Sequence, residues 1–580
     1  MSARQRNRMN DPAGDGMQWW VWPLAVAFVA AIVLVVAVQY GSQREGINPD
    51  RPSDPVALLA SLFRGELVWP VTATWILSGI GAVVVAFTAL IVWARMSGRK
   101  GRKASDHAVA HTAGPEELRG LQRKQGLKKS ARLGVAGSPG IPVGRMAPSG
   151  MHLYGSFEDM TTLIAGPRTG KSTSFVIPAI MQAPGAVVTT SNKRDVLDAT
   201  RDLRAQAGDV WVFDPQKVAG EKATWWWNPL SYVTDDTKAA KLAQHFASSM
   251  LSGAGNGGND GFWERRGKNL LANFLLAAAV GNRPITDVYE WLTNQARTEA
   301  VDYLLAAGYT RQADAVTFDQ QSEEKIRSGV YSTAEGMASC LGNTGIEEWV
   351  NPVRAPYAPR RRFDPHEFVR GRGTLYSLSR EGAGTAGPLV TALTAATIEA
   401  AEELATASPG GRLQTPMLGI LDEAANVCRW SDLPDLYSHF GSRGIPIMAA
   451  FQSWSQGVAV FGEKGMDKLW SAANMRIYGG GVAEVGFLSN LSDLVGTYDR
   501  RSRSVSTNKG VRSTSDSIKR DKILDVQELA DLPRGRAVLL SSGNRAALLA
   551  TVPWYQDPDK KKVAAIKASI AAHEPGGRTA

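Results

Sequence analysis

Cysteine is nearly absent: Cys340 and Cys428 are the two in 580 residues. At most one disulfide is possible, and buried free thiols are the expected state. Charge is absent from Trp19 to Gln39 and again from Leu67 to Ala94. Each run can span about 30 Å of hydrocarbon. Without an ionisable residue, neither run reads as an ion pathway. No clear small-x-small site follows the first run, which argues against a cleaved signal peptide. The loop between them, Gly41–Glu66, has no positive excess, with three Arg against four acids.

Positive charge gathers outside the two runs. Arg4, Arg6 and Arg8 precede the first, and Arg95, Arg99, Lys100, Arg102 and Lys103 follow the second. The expectation is a membrane anchor over 1–95, with helices at about 19–40 and 68–94 joined by an extracytoplasmic loop, 41–67. Trp19, Trp20, Trp22, Tyr40, Trp69 and Trp93 would be interfacial anchors. Basic flanks stay inside, so the N-terminus and the large C-terminal part are expected in the cytoplasm. Residues 96–149 read as a basic juxtamembrane linker suited to anionic lipid.

The rest is globular in composition, 44% hydrophobic and 21% charged. Its length suggests about three or four units. A net charge of +10 suits nucleic acid or anionic lipid and does not choose between them.

The apolar run Thr161–Ile164 leads into Ala165-Gly166-Pro167-Arg168-Thr169-Gly170-Lys171-Ser172-Thr173. Strand, Gly-rich loop and helix in that order form a phosphate-binding loop. Small residues let backbone N–H groups wrap a phosphate, Lys171 would reach the β- and γ-phosphates, and Ser172 would hold Mg²⁺. The strict spacing asks for Gly at 165, where this chain has Ala. Strands at Ala186–Thr190 and Asp209–Pro215 alternate with helices, which indicates a parallel α/β sheet. Ligands of such sheets bind at the carboxyl ends of the strands, where Ser191–Arg194 and Asp214 should also lie. From Asp235 to about Gly345 the period is helical, as in Leu270, Leu271, Phe274 and Leu275. Ser252–Gly261 reads as a flexible loop within that stretch.

Strands resume at Gly373–Leu378. In Thr415–Ala424 an apolar strand ends on the adjacent acids Asp422-Glu423. In a phosphate-loop ATPase the first acid serves Mg²⁺ and the second polarises the attacking water. Gly441-Ser442-Arg443-Gly444 precedes the strand Ile445–Phe451, which ends on Gln452. Gln452 could contact the γ-phosphate, and Arg443 could reach a neighbouring subunit's nucleotide. Arg500–Lys522 reads as a mobile basic loop, with a substrate-facing role as its alternative. The tail from Asp557 reads as frayed.

In order, AGPRTGKS at 165–172, TSNKRDV at 190–196, FDP at 213–215, WNPL at 227–230, FW at 262–263, LDEAANV at 421–427, GSRGIPIMAAFQS at 441–453 and LDVQELADLPRGRAVLL at 524–540 resemble the type IV coupling proteins of the VirD4/TraG/TraD family. The resemblance covers nearly the whole chain. It implies an α/β fold: a RecA-like P-loop NTPase domain with an inserted all-α domain, preceded by two transmembrane helices. The nucleotide domain would occupy 150–234 and 346–556, the insertion 235–345, and a basic tail 557–580. It implies ATP and Mg²⁺ as cofactors, with Gly166, Pro167, Arg168, Thr169, Gly170, Lys171, Ser172 and Thr173 on the nucleotide and Ser172 and Asp422 on the metal. Glu423, Lys171, Gln452 and Arg443 would be catalytic. A homo-hexamer at the inner (plasma) membrane would feed single-stranded DNA and its relaxase, or another secreted protein, to a type IV secretion channel. Two alternatives stay open: a coupling ATPase for protein-only cargo, and a cargo receptor that uses nucleotide as an assembly switch.

Overall fold

The computed structural model describes residues 21–99, 104–248, 260–352, 359–381, 385–508 and 511–574. The chain divides into two compact units, Met1–Lys103 and Ala104–Ala580.

The first unit contains the helices Val21–Glu45, Pro55–Phe63 and Val71–Arg99. The turn between the long helices is tied by side chains. Asn48 Nδ2 donates to Val68 O at 2.8 Å, and Val68 N donates to Asn48 Oδ1 at 2.9 Å. Glu45 accepts from Val71 N at 3.1 Å. Val35, Val38, Leu58 and Ala73 make a small buried cluster, while Phe28, Val29, Val83 and Phe87 are exposed. Among the described residues, one helix is long and apolar enough to cross a membrane, over Val71–Leu90. Trp19, Trp20 and the basic residues before them lie outside the described residues, as do Lys100–Lys103 and most of the glycine-rich loop at 252–261.

The second unit is organised by strands β1 (Ile141–Met146), β2 (His152–Gly155), β3 (Thr161–Ile164), β4 (Val187–Ser191), β5 (Val210–Phe213), β6 (Trp225–Trp226), β7 (Arg361–Arg362), β8 (Thr374–Leu378), β9 (Leu418–Leu421), β10 (Ile447–Phe451), β11 (Met475–Tyr478), β12 (Thr497–Asn508), β13 (Val511–Lys522), β14 (Arg536–Ser541) and β15 (Ala547–Ala550). Eleven of them form one sheet, in the order β2-β1-β15-β14-β11-β3-β10-β9-β4-β8-β5. From β11 to β5 the strands are parallel, and from β11 out to β2 they are antiparallel. The inner strands are buried on both faces, so they read as unbroken apolar runs. Successive residues still serve opposite faces: Leu163 joins one core cluster and Ile164 the other. One face carries the helices Ile177–Gln182, Asp195–Ala205 and Lys560–His573, through Ile180, Val196 and Ile566. The other carries the helix Gly387–Ala407. Between β6 and β7 the described elements are all helical, from the 3₁₀ turn Pro229–Tyr232 to the helix Thr344–Val350. Cys340 and Cys428 are free and buried, and burial pushes both thiols up to about 12.

Three expectations change. The linker ends earlier than 149, because residues from 104 onward belong to the second unit. Ala108, Leu118 and Leu121 are buried there, and Arg536 pairs with Asp106 at 2.7 Å. Short 3₁₀ turns carry no long period, so the basic residues are the visible signal of this stretch. The segment 500–522 is no loop but the antiparallel ribbon β12–β13, paired from Thr497↔Lys522 to Asn508↔Val511. Its Ser/Thr-rich, acid-poor strands lack the apolar alternation that marks a half-buried strand. The tail is not frayed, since the helix Lys560–His573 docks on Asp195–Ala205, with Ile566 buried and Ser569 Oγ donating to Asp198 O at 2.6 Å.

Candidate functional site

The loop after β3 is stitched to both neighbouring strands. Ala165 N donates to Phe451 O at 3.0 Å, and Gly166 N donates to Gly480 O at 2.9 Å. A Cβ on Gly166 would lie 2.0 Å from Gly481 O, so no side chain fits there. The Ala at 165 has a matching vacancy. Its own Cβ lies 2.8 Å from where Gly479 would carry one, and Gly479 carries none. The departure from the strict motif is thus compensated across the strand pair. Gly170 takes φ 93° and Arg168 φ 60°, left-handed values that turn the loop back on itself. Thr169 Oγ1 donates to Gly166 O at 2.8 Å, and Thr173 Oγ1 donates to Gly170 O at 3.1 Å. The next turn, Ser172–Val176, is wound as a π-helix before the α-helix Ile177–Gln182 begins. Pro178 has no N–H for an i→i−4 bond, which favours the wider turn.

β10 lies between β3 and β9. Three strand ends therefore converge from residues about 250 positions apart in sequence. Lys171 Nζ lies 2.6 Å from Glu423 Oε1 and 3.1 Å from Asp422 Oδ1. Ser172 Oγ donates to Asp422 Oδ2 at 3.0 Å. Gln452 Nε2 donates to Glu423 Oε2 at 2.8 Å. Lys171, Asp422 and Glu423 are all buried. Burial alone would lower the Lys171 pKa, but the charges of Asp422 and Glu423 outweigh it and raise the group above its ordinary value. Glu423 sits at φ 56°, a left-handed conformation that costs energy for a residue with a side chain. Thr190 Oγ1 donates to Asp422 O at 3.0 Å and fixes the turn to β4. Asp422 Oδ1 has the ammonium close by but no well-directed hydrogen bond, so a buried carboxylate oxygen keeps accepting capacity. A hydroxyl, a buried carboxylate with spare accepting capacity and a buried ammonium are groups that suit Mg²⁺ and a triphosphate.

Further polar groups surround the acids, and the motifs do not single them out. Asn426 Nδ2 lies 3.4 Å from Glu423 Oε2 and donates to Glu381 Oε1 at 3.0 Å. Asn192 Nδ2 donates to the same Glu381 oxygen at 2.6 Å. Their signal is positional: Asn192 and Asn426 each closely follow a strand that ends at the site. Asp195 is raised by burial and then by the charge of Asp422.

Two residues stand elsewhere. Asp214 follows β5 at the carboxyl edge, but its carboxylate accepts from Val218 N, Ala219 N and Glu221 N, which caps a local turn. Arg443 precedes β10, at the amino end of a strand whose other end carries Gln452. It donates to Thr406 Oγ1 at 2.5 Å and pairs with Glu402 at 3.4 Å. Within one chain it does not join Lys171 and the acids.

A family model described as the TraM recognition site of TraD and TraG matches residues 416–534, which include the acid pair, β10 and the ribbon. Protein VirD4 of Agrobacterium fabrum is 20% identical over 486 residues, covering 82% of this chain and 70% of that protein. Protein VirD4 of Rhizobium radiobacter is 20% identical over 492 residues, covering 83% and 69%. Among solved structures, the unbound monoclinic form of the bacterial conjugative coupling protein TrwBdeltaN70 matches with a TM-score of 0.50 and 15% identity, over 70% of this chain and 88% of that one. The plasmid coupling protein TrwB in complex with the non-hydrolysable GTP analogue GDPNP matches with a TM-score of 0.50 and 16% identity, over 68% and 85%. These structural likenesses show a shared α/β fold with a mixed sheet. The chain is similar to the type IV coupling proteins of the VirD4/TraG/TraD family.

Proposed function

We propose that this coupling-protein relative is a membrane-anchored ATPase that drives relaxase-bound single-stranded DNA into a type IV secretion channel. The observation that carries the reading is the convergence of Lys171, Ser172, Asp422, Glu423 and Gln452 at the carboxyl edge of the sheet. Bound Mg–ATP supplies the transferable phosphoryl group and the cation that offsets its charge. Backbone N–H groups of residues 168–173 would cradle the phosphates, since Pro167 has no N–H and that of Gly166 is taken by Gly480 O, and Lys171 would exchange its carboxylate partners for phosphate oxygens. Ser172 and Asp422 hold the cation. Glu423, held by Gln452 and steadied by Asn426, accepts the proton of the attacking water.

In this reading 1–95 is a two-span anchor in the inner membrane, with the N-terminus and the ATPase in the cytoplasm. Residues 235–345 are an all-α domain inserted in the nucleotide domain. The assembly is a homo-hexamer in which Arg443 acts on a neighbour's nucleotide. The excess of basic residues is compatible with nucleic acid cargo, as it is with anionic lipid.

The test is ATP hydrolysis by the full-length protein in detergent, with and without single-stranded DNA. Glu423→Gln should lower the rate by about 10²–10⁴ while nucleotide binding persists. DNA should stimulate the wild type, and stimulation by protein cargo alone would favour protein-only export. Transfer at the wild-type rate by Lys171→Thr would leave nucleotide as an assembly switch and end the motor reading.

A further inference from the structure

A cavity of about 360 Å³ lies between β1–β2, the helix Ile177–Gln182 and the segment after β15. Tyr154, Pro178, Gln182, Trp554, Arg123 and Asp557 line it. We propose that this cavity receives the base and ribose of the nucleotide whose phosphates the loop 166–173 holds. The inference rests on the reading of that loop as a nucleotide site.

The cavity stands beside the loop. Ser174 also lines it, two residues beyond Ser172. Its Oγ lies 3.5 Å from where Gly170 would carry a Cβ. The cavity therefore opens next to the last glycine of the loop rather than at a remote face. Pro178 and Gln182 line the cavity along the flank of the helix Ile177–Gln182, where the sugar and base of a nucleotide held by the loop would have room to lie.

Its size and chemistry suit the same ligand. The volume falls in the range of pockets for small organic ligands. Tyr154 and Trp554 bring two aromatic rings, neither of them fully covered. Large aromatics next to a polar floor suit a flat heteroaromatic ring. The charges nearly cancel: Asp557 and Asp559 line the same cavity as Arg123 and Lys562, and Lys562 Nζ lies 3.5 Å from Asp557. His152, another lining group, accepts from Arg145 Nε at 2.9 Å through Nε2, and burial lowers its pKa further toward the neutral ring. A second anion would meet the two carboxylates there. A neutral base has donors and acceptors for Gln182, Asp557 and Arg123. The wall after β15 runs into the helix Lys560–His573, so the C-terminal segment completes the site.

Calorimetric titration of the full-length protein in detergent with Mg–ATP and with Mg–tripolyphosphate tests this. Tripolyphosphate offers the phosphates without base or ribose. Trp554→Ala should weaken ATP by about tenfold, the scale of removing one base–aromatic stack, and leave tripolyphosphate unchanged. Arg123→Ala, at an exposed position, should weaken ATP in the same selective sense and guards against a folding defect in the Trp variant. The inference is overturned if both variants bind ATP as the wild type does, or weaken ATP and tripolyphosphate equally. If the wild type binds neither ligand, the nucleotide reading of the loop fails, which is a distinct result.

Discussion

The Lys171 ammonium stands between two carboxylates, 2.6 Å from Glu423 Oε1 and 3.1 Å from Asp422 Oδ1, in a buried site. One positive charge holds two negative ones together. Lys171→Met would leave both acids buried without a counter-charge, so the nucleotide-free protein should lose about 3–5 kcal/mol at neutral pH. Urea unfolding at neutral pH measures it, and an unchanged midpoint would show that the pairs contribute nothing.

The compensation at Ala165 predicts an exchange. Gly479→Ala places a Cβ 2.8 Å from that of Ala165 and should cost about 1–3 kcal/mol by overpacking. Adding Ala165→Gly should restore most of it, since the two positions then trade methyl groups. Gly166→Ala, aimed at the Gly481 carbonyl at 2.0 Å, should not be rescued by any side-chain change opposite. Melting temperatures of the three variants decide.

His245 is buried in the helix Asp236–Ala247, and neither ring nitrogen has a hydrogen-bond partner among the described residues. Burial lowers its pKa from 6.5 to about 4, with Glu399 pulling it up and Lys241 down. A depressed histidine binds its proton more readily when unfolded. Stability is therefore whole above about pH 6.5 and drains away as the pH falls toward 4, by about 3 kcal/mol. His245→Leu should flatten that window. Unfolding free energies from pH 7.5 to 4 test it, and an equal acid limb in both proteins would refute it.

The docked C-terminal helix predicts that Ile566→Ala destabilises by about 2–4 kcal/mol, as for a buried aliphatic. Were the tail frayed, the substitution would be silent in the same unfolding assay.

The ribbon predicts a salt effect that rests on the DNA reading. By register, Arg500 and Lys519 stand opposite each other on one ribbon face, and both are exposed. Replacing both with Ser should flatten log K against log salt for single-stranded DNA by about 0.7 for each phosphate that the ribbon no longer neutralises. An unchanged slope would place the DNA elsewhere.

The phosphate loop, the acid pair and Gln452 were legible because each is a short motif at the end of an apolar strand, and strand ends can be read locally. The C-terminal helix was not, since Lys560, Lys561 and Lys562 hide the buried positions Val563 and Ile566 behind a run of charge. The ribbon was missed because it pairs with itself and not with a core, which leaves no hydrophobic period to see. Asn426 and Glu381 could not be chosen from among many polar residues until their place beside Glu423 was visible.

The sequence by itself determined the chemistry available: a phosphate loop, two acids, an apolar anchor region and an excess of positive charge. Those properties belong to residue types and short spacings. Tertiary structure decided which groups meet. It set β10 between β3 and β9, so that Gln452 reaches Glu423 while Arg443 is carried to the opposite edge. It also made the Ala at the head of the loop fit, because the atom that would have clashed is missing from Gly479, more than three hundred residues away in sequence. Such pairings depend on distance in space, which no local pattern encodes.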